Sequence, residues 1–170
     1  MRSYYKGMIR PLFMLFPGFT CLILLFCESP RDTGYVFDKE NDLSPRQVAQ
    51  LDSLYESHES KTTNEIALIT TKSYYPDSTI LLFAVDKLRE LGLGRARINN
   101  GLLIAYSGTK RQIFIATGYG TEKVLNDQIV KRIIDSVMIP PFKANKIYDG
   151  LWAGSKAIVD FLEKPENKIR

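Results

Sequence analysis

"GLLIAYSGTKRQIFIATGYG", residues 101–120, decides how this chain folds. Two apolar runs, 101–106 and 112–117, are rich in residues that favour extended backbone, and "SGTKR" lies between them. Two strand-like runs joined by a short polar segment form a β-hairpin, with Gly108 at the bend. In an antiparallel pair the start of the first strand lies beside the end of the second. Asn99, Asn100 and Gly101 are therefore expected beside Thr117, Gly118, Tyr119 and Gly120. Neither run alternates apolar with polar residues, so helices should cover both faces of the sheet.

Upstream, "EIALITT" (65–71) reads as a further strand and "YVFD" (35–38) as a brief extended segment. Between them Ser44, Pro45 and Gln47 form a capping-box start with proline at the first helical position. Val48, Leu51, Leu54 and Tyr55 then give a helical stripe to about Ser60. A second helix, ending at Gly92, is expected to turn Ile80, Leu81, Ala84, Leu88 and Leu91 inward. A third, 126–137, turns Ile129, Val130, Ile133 and Val137 inward, and "IPPFKANK" is expected to break it. A last helix carries Ile147, Leu151, Trp152, Ser155, Ile158, Val159 and Leu162 on one face. This order predicts an α/β fold: a three-layer α/β/α sandwich whose mixed central sheet contains the antiparallel hairpin 101–106/112–117.

The N-terminus reads as an export signal. Arg2, Lys6 and Arg10 precede an uncharged apolar stretch, 11–26, which is shorter than a spanning helix needs and is interrupted by Pro17-Gly18. Cys27 ends the stretch, and "LLFC" resembles the site at which a bacterial lipoprotein is lipidated. Residues 1–26 are thus expected to be a signal peptide, 27–34 a lipidated tether, 35–164 the domain and 165–170 a polar tail. Such a protein belongs to the cell envelope, lipid-anchored, on its periplasmic side or at the surface. Both cysteines, Cys21 and Cys27, lie in the targeting segment, so the domain has no disulfide, cysteine metal site or cysteine nucleophile. Without Arg2, Lys6 and Arg10, basic and acidic residues nearly balance, which removes the footprint of a nucleic-acid partner.

Four segments in order, "YVFDKENDLS" (35–44), "LGLGRARINNGLLIAY" (91–106), "RQIFIATGYGTEKVLND" (111–127) and "IPPFKANKIYDGLWAG" (139–154), resemble the TPM domain family over roughly residues 35–163. The resemblance implies an extracytoplasmic, often membrane-tethered α/β/α domain. The family includes a thylakoid-lumen protein linked to photosystem II repair, an animal membrane protein that modulates acetylcholine receptors, and bacterial envelope proteins. Acid phosphatase activity and calcium binding are ascribed to some members.

The residues offer limited chemistry. Ca²⁺ takes carboxylates, amide oxygens and backbone carbonyls, and Asp38, Asn99, Asn100 and Asp127 supply the candidate ligands. Arg95, Arg97, Thr117, Gly118, Tyr119 and Gly120 form a candidate binding rim around them. "DKENDL" spaces acids as an EF-hand does, but Leu43 and Ala49 stand where that loop needs Gly and Glu. Glu122 puts a carboxylate where a phosphate cradled by "TGYG" would sit. Gly118 and Gly120 are expected to supply backbone conformations closed to other residues. His58, the sole histidine, reads as a surface position late in the first helix. The expected role is a non-catalytic envelope module that binds a protein partner near the membrane and can carry Ca²⁺. The alternative is a metal-dependent acid phosphatase acting on phosphomonoesters.

Overall fold

The computed structural model describes residues 34–169. The expected signal peptide, the lipidation site Cys27 and the tether up to residue 33 lie outside the described residues. The elements are β1 (Val36–Asp38), α1 (Pro45–Thr62), β2 (Glu65–Thr70), α2 (Ile80–Glu90), β3 (Gly101–Ser107), β4 (Gln112–Thr117), α3 (Tyr119–Glu122), α4 (Asp127–Ile133), a π-helical turn (Ile134–Met138), α5 (Ile139–Lys143) and α6 (Ile147–Leu162). A 3₁₀ turn, Pro165–Asn167, follows. The sheet runs β1-β2-β3-β4 in chain order. The first three strands are parallel, and β3 and β4 are antiparallel with Leu102 opposite Thr117 and Ser107 opposite Gln112.

Both faces are covered, as runs without alternation require. On one face Ile66, Leu68, Leu102, Ile104, Tyr106 and Ile115 meet Leu51 and Tyr55 of α1 and Leu151, Ile158 and Val159 of α6. On the other, Ala67, Ile69, Leu103, Ala105 and Ala116 meet Phe83 and Ala84 of α2. The three alanines leave room for Phe83, so one helix suffices to cover this face. Each large side chain so buried contributes about 1.5–3 kcal/mol. The layers are those of the expected α/β/α sandwich. Among the described residues no helix is long and apolar enough to cross a membrane.

Local chemistry sets the boundaries. Ser44 accepts the Gln47 N–H while the Gln47 side chain accepts that of Ser44, and Pro45 opens α1, where a missing N–H costs nothing. Thr79 caps α2 and Asn126 caps α4 in the same way.

Three local expectations are corrected. Leu81 is 46% exposed, and Phe83 takes the inward place beside Ala84, because Leu81 sits about 100° around the helix from Ile80. "IPPFKANK" does not break the third helix at its prolines. The backbone passes through the π-helical turn, and Pro140 and Pro141 open α5, so the break comes at Ala144–Asn145. His58 is fully buried rather than at the surface, because it continues the Leu51–Tyr55 stripe toward α6. Beyond α6, Asn167 donates to the Phe161 carbonyl at 2.8 Å and Ile169 packs against the core.

Candidate functional site

The parallel strands give the sheet two distinct ends. At the end where β3 begins, the hairpin brings "INNG" and "TGYG" together. Gly118 N–H donates to the Gly101 carbonyl at 2.9 Å, Gly120 N–H to the Asn99 carbonyl at 3.0 Å, and the Thr121 hydroxyl to the Gly101 carbonyl at 3.1 Å. Gly118 and Gly120 are required for a different reason from the one expected. Neither has positive φ, but a Cβ on Gly118 would strike the Asn99 carbonyl oxygen and one on Gly120 the Ile98 carbonyl oxygen. Backbone meets backbone there, and the Tyr119 ring between the two glycines is left 76% exposed.

The side chains at this end divide into structural and free groups. Asn100 is buried: its Oδ1 accepts the Arg95 N–H at 2.9 Å, and its Nδ2 donates to the Thr63 carbonyl at 2.7 Å and to Asn64 Oδ1 at 3.2 Å. It knits three segments together and has no oxygen turned outward. Asn99 is exposed with φ 52°, and Thr117 is half-buried. Arg95 and Arg97 are exposed, and Asp127 is exposed in the first turn of α4.

Asp38 lies at the opposite end. It pairs with Thr70, which pairs with Tyr106, whereas Asn100 precedes the first residue of β3. The length of β3 separates them by about 20 Å. Asp38 therefore does not join Asn99, Asn100 and Tyr119, and one ion cannot take all four expected ligands. Its carboxylate instead closes the turn before α1: Oδ1 accepts the Asp42 N–H and the Thr70 hydroxyl, and Oδ2 the Leu43 N–H at 2.8 Å. Glu40, also buried, reaches the hairpin turn. Its Oε2 accepts the Gly108 N–H at 2.6 Å and its Oε1 the Thr109 N–H at 3.2 Å. Asp42 stands beside it, both carboxylates reaching toward Gly108. Burial, then the negative charge of Glu40, pushes the Asp42 carboxyl above the usual range. Among the described residues no group of three or more His, Cys, Asp or Glu side chains is arranged to hold a metal ion.

The same end carries a cleft of about 610 Å³ between the hairpin and the α5–α6 turn. Tyr106 and Phe142 form its aromatic wall, with ring centroids 4.9 Å apart. Arg111, Lys143 and Asn145 supply cationic and amide groups, and Asp42 a carboxyl. Burial, then the charges of Asp42 and Glu40, pushes the Tyr106 hydroxyl up to about 12, so it stays protonated and can donate. The volume, the apolar walls and the few convergent polar groups are those of a small-ligand site. Its place also fits the rule that open α/β sheets bind ligands at the carboxyl ends of their strands. Sequence reasoning missed Tyr106, Arg111, Phe142 and Lys143 as a group. That rule, applied to β1, β2 and β3, was the signal that could have found them.

The TPM domain family model matches residues 36–161. Among solved structures, the solution structure of the N-terminal domain of a P. gingivalis protein is 30% identical, with TM-score 0.72, over 81% of this chain and 87% of that one. The N-terminal domain of the cg2496 protein of Corynebacterium glutamicum is 14% identical, with TM-score 0.59, over 78% of this chain and 83% of that one. The BA42 protein of the psychrophilic bacterium Bizionia argentinensis is 18% identical, with TM-score 0.61, over 74% of this chain and 88% of that one. No curated protein matches the chain.

Proposed function

The chain belongs to the TPM domain family, and from that premise we propose that it is a membrane-tethered, extracytoplasmic binding module whose ligand enters the cleft between the hairpin and the α5–α6 turn. The observation that carries this reading is the cleft itself, where the Tyr106 and Phe142 rings meet Arg111, Lys143 and Asp42. Aromatic faces take up an apolar body, the two cations favour an anionic group on it, and Asp42 favours an adjacent N–H. A small molecule or a segment of an envelope protein with an acidic group beside an amide has that chemistry. The tether is read from the basic start, the apolar run and Cys27 of the sequence.

For calcium, the expected ligands are divided between the two ends of the sheet. Each oxygen of Asp38 and Glu40 already accepts an N–H or hydroxyl hydrogen, and Asn99, Asn100 and Asp127 lie at the far end of the sheet.

Mapping amide shifts during titration with N-acetylated acidic dipeptides tests the cleft. Shifts centred on Tyr106, Arg111 and Lys143, lost in Arg111→Ala, are expected. Shifts confined to the Asn99–Gly120 end would sink the reading. The acid phosphatase alternative is kept by the make-up of the cleft, which Asp42, its carboxyl raised by burial and the Glu40 charge, lines together with Arg111 and Lys143. Turnover of p-nitrophenyl phosphate, with and without Ca²⁺ or Mg²⁺, that is lost in Asp42→Asn would favour it over the binding module.

A further inference from the structure

We propose that the end of the domain carrying Tyr119, Arg95 and Arg97 rests on an anionic lipid surface, so that the cleft faces away from it. The inference rests on the tethered reading above. Gly34 leads directly into β1, which runs parallel to β2 and β3. By that register β1 starts level with Ile104, midway along β3, and the chain reaches it from the side of the sheet that carries "TGYG", along the edge opposite β4. From Cys27 to Gly34 the chain can extend at most about 25 Å. A lipid on Cys27 would stay within that reach of Gly34, and the contacts of the domain's own residues would set the orientation.

The side chains at that end suit the headgroup layer. Gly118 and Gly120 press the backbone onto the Ile98 and Asn99 carbonyls, and Tyr119 projects from between them. A tyrosine has an apolar ring and a polar tip and is favoured at the boundary between membrane and water. Arg95 and Arg97 lie on the loop beneath it, whose Asn99 N–H donates to the Arg95 carbonyl at 2.9 Å. The loop is fixed by Asn100 and by Glu65, whose carboxylate accepts the Gly94 N–H at 2.7 Å. Both arginines are exposed, and no ion pair among the described residues engages them. Glu65 is turned inward onto the loop and Glu163 is matched by Lys61, which leaves the guanidinium groups free for lipid phosphates. Glu122 and Asp127, exposed on the following turns, bear the opposite sign. The contact is therefore an orienting one that needs the tether for strength.

The test uses the full chain reconstituted in phosphatidylcholine vesicles with or without phosphatidylglycerol. A single tryptophan is placed by Tyr119→Trp in a Trp152→Phe background, and in a parallel sample by Lys110→Trp at the hairpin end. Lipids brominated near the headgroup serve as quenchers. The expected result is loss of fluorescence at position 119 but not at 110. That loss should require phosphatidylglycerol and disappear in Arg95→Glu/Arg97→Glu. Flotation with the vesicles but no quenching at 119, or equal quenching at both positions, overturns the orientation and leaves the tether standing. Flotation that is unchanged in Cys27→Ser, or absent in the unmodified chain, overturns the lipid tether and this inference with it.

Discussion

The carboxylate of Glu40 and the backbone N–H of Gly108 lie 2.6 Å apart, so a residue just before α1 holds the hairpin turn 68 positions later. Truncation would leave the Gly108 and Thr109 N–H groups without that acceptor. Glu40→Ala is expected to cost about 2 kcal/mol in urea unfolding and to weaken ligand binding in the cleft by loosening the hairpin. Equal stability in the two proteins would remove Glu40 from this role.

The acid pair beneath the hairpin sets a pH dependence with two signs. Burial pushes the Glu40 carboxyl up, but hydrogen bonds from Thr109 and Gly108 outweigh it and hold the pKa below 4.5. Its contribution to stability is present above pH 4.5 and is lost as pH falls through the folded value. Asp42 is raised, so its contribution is fully present below pH 3.8 and is lost as pH rises through the folded value. Asp42→Asn is therefore expected to raise the melting temperature at neutral pH. The gain should shrink as acidification protonates Asp42 in the unmodified protein. A gain that is constant with pH would contradict the assignment.

Two glycine substitutions should separate close approach from backbone strain. Gly120→Ala puts a methyl group into the Ile98 carbonyl and is expected to cost about 3 kcal/mol. Gly92→Ala meets nothing within 4 Å and carries only the strain of φ +65°, about 1–2 kcal/mol. Paired denaturation curves check the order, and a reversal would place the tight contact elsewhere.

His58 gives a second pH signature. Burial holds its pKa below the ordinary 6.5, against the opposing pull of Glu163, so the folded protein keeps it neutral. The unfolded chain takes up the proton first, and stability should fall as pH drops below 6.5. His58→Gln is expected to flatten that slope between about pH 5 and 7, where carboxylates titrate little. Melting temperatures across this window decide it. An unchanged slope would show that some other group carries the proton.

Asn100, first named as a metal ligand, is expected to behave as a structural residue. Asn100→Ala leaves the Arg95 N–H and the Thr63 carbonyl without partners and should cost about 2–3 kcal/mol. A Ca²⁺ titration should give the same melting response before and after the substitution. A Ca²⁺-dependent rise that disappears in Asn100→Ala would restore the metal reading.

The hairpin was legible because two apolar runs with a short polar turn between them have few other ways to satisfy their backbone. The meeting of "INNG" and "TGYG" followed from antiparallel pairing alone. Side-chain commitments were not legible. The sequence shows that Asn100 and His58 are polar, but only packing shows that one knits three segments and the other lies under α6. The cleft was missed because its walls come from the β1–α1 loop, the hairpin and the α5–α6 turn. No local pattern records that those three segments meet. Pro140-Pro141 misled because the first turn of a helix tolerates proline, and the π-helical turn before it leaves no sequence period to read.

The hydrogen bond between the Tyr55 hydroxyl and Ser155 Oγ, buried at 2.6 Å, joins residues 100 positions apart. The four strands lie in the order in which they are made, so the sheet can assemble one neighbour at a time. The α1 side of the core has no such freedom, because its closing layer, α6, comes after all four strands in the chain. Until α6 arrives, Leu51, Tyr55 and Leu68 have no complete cover. A chain stopped before Ile147 should stay open to proteases along α1 even with its whole sheet in hand. Closure of this layer waits on α6, which follows every strand of the sheet in the chain.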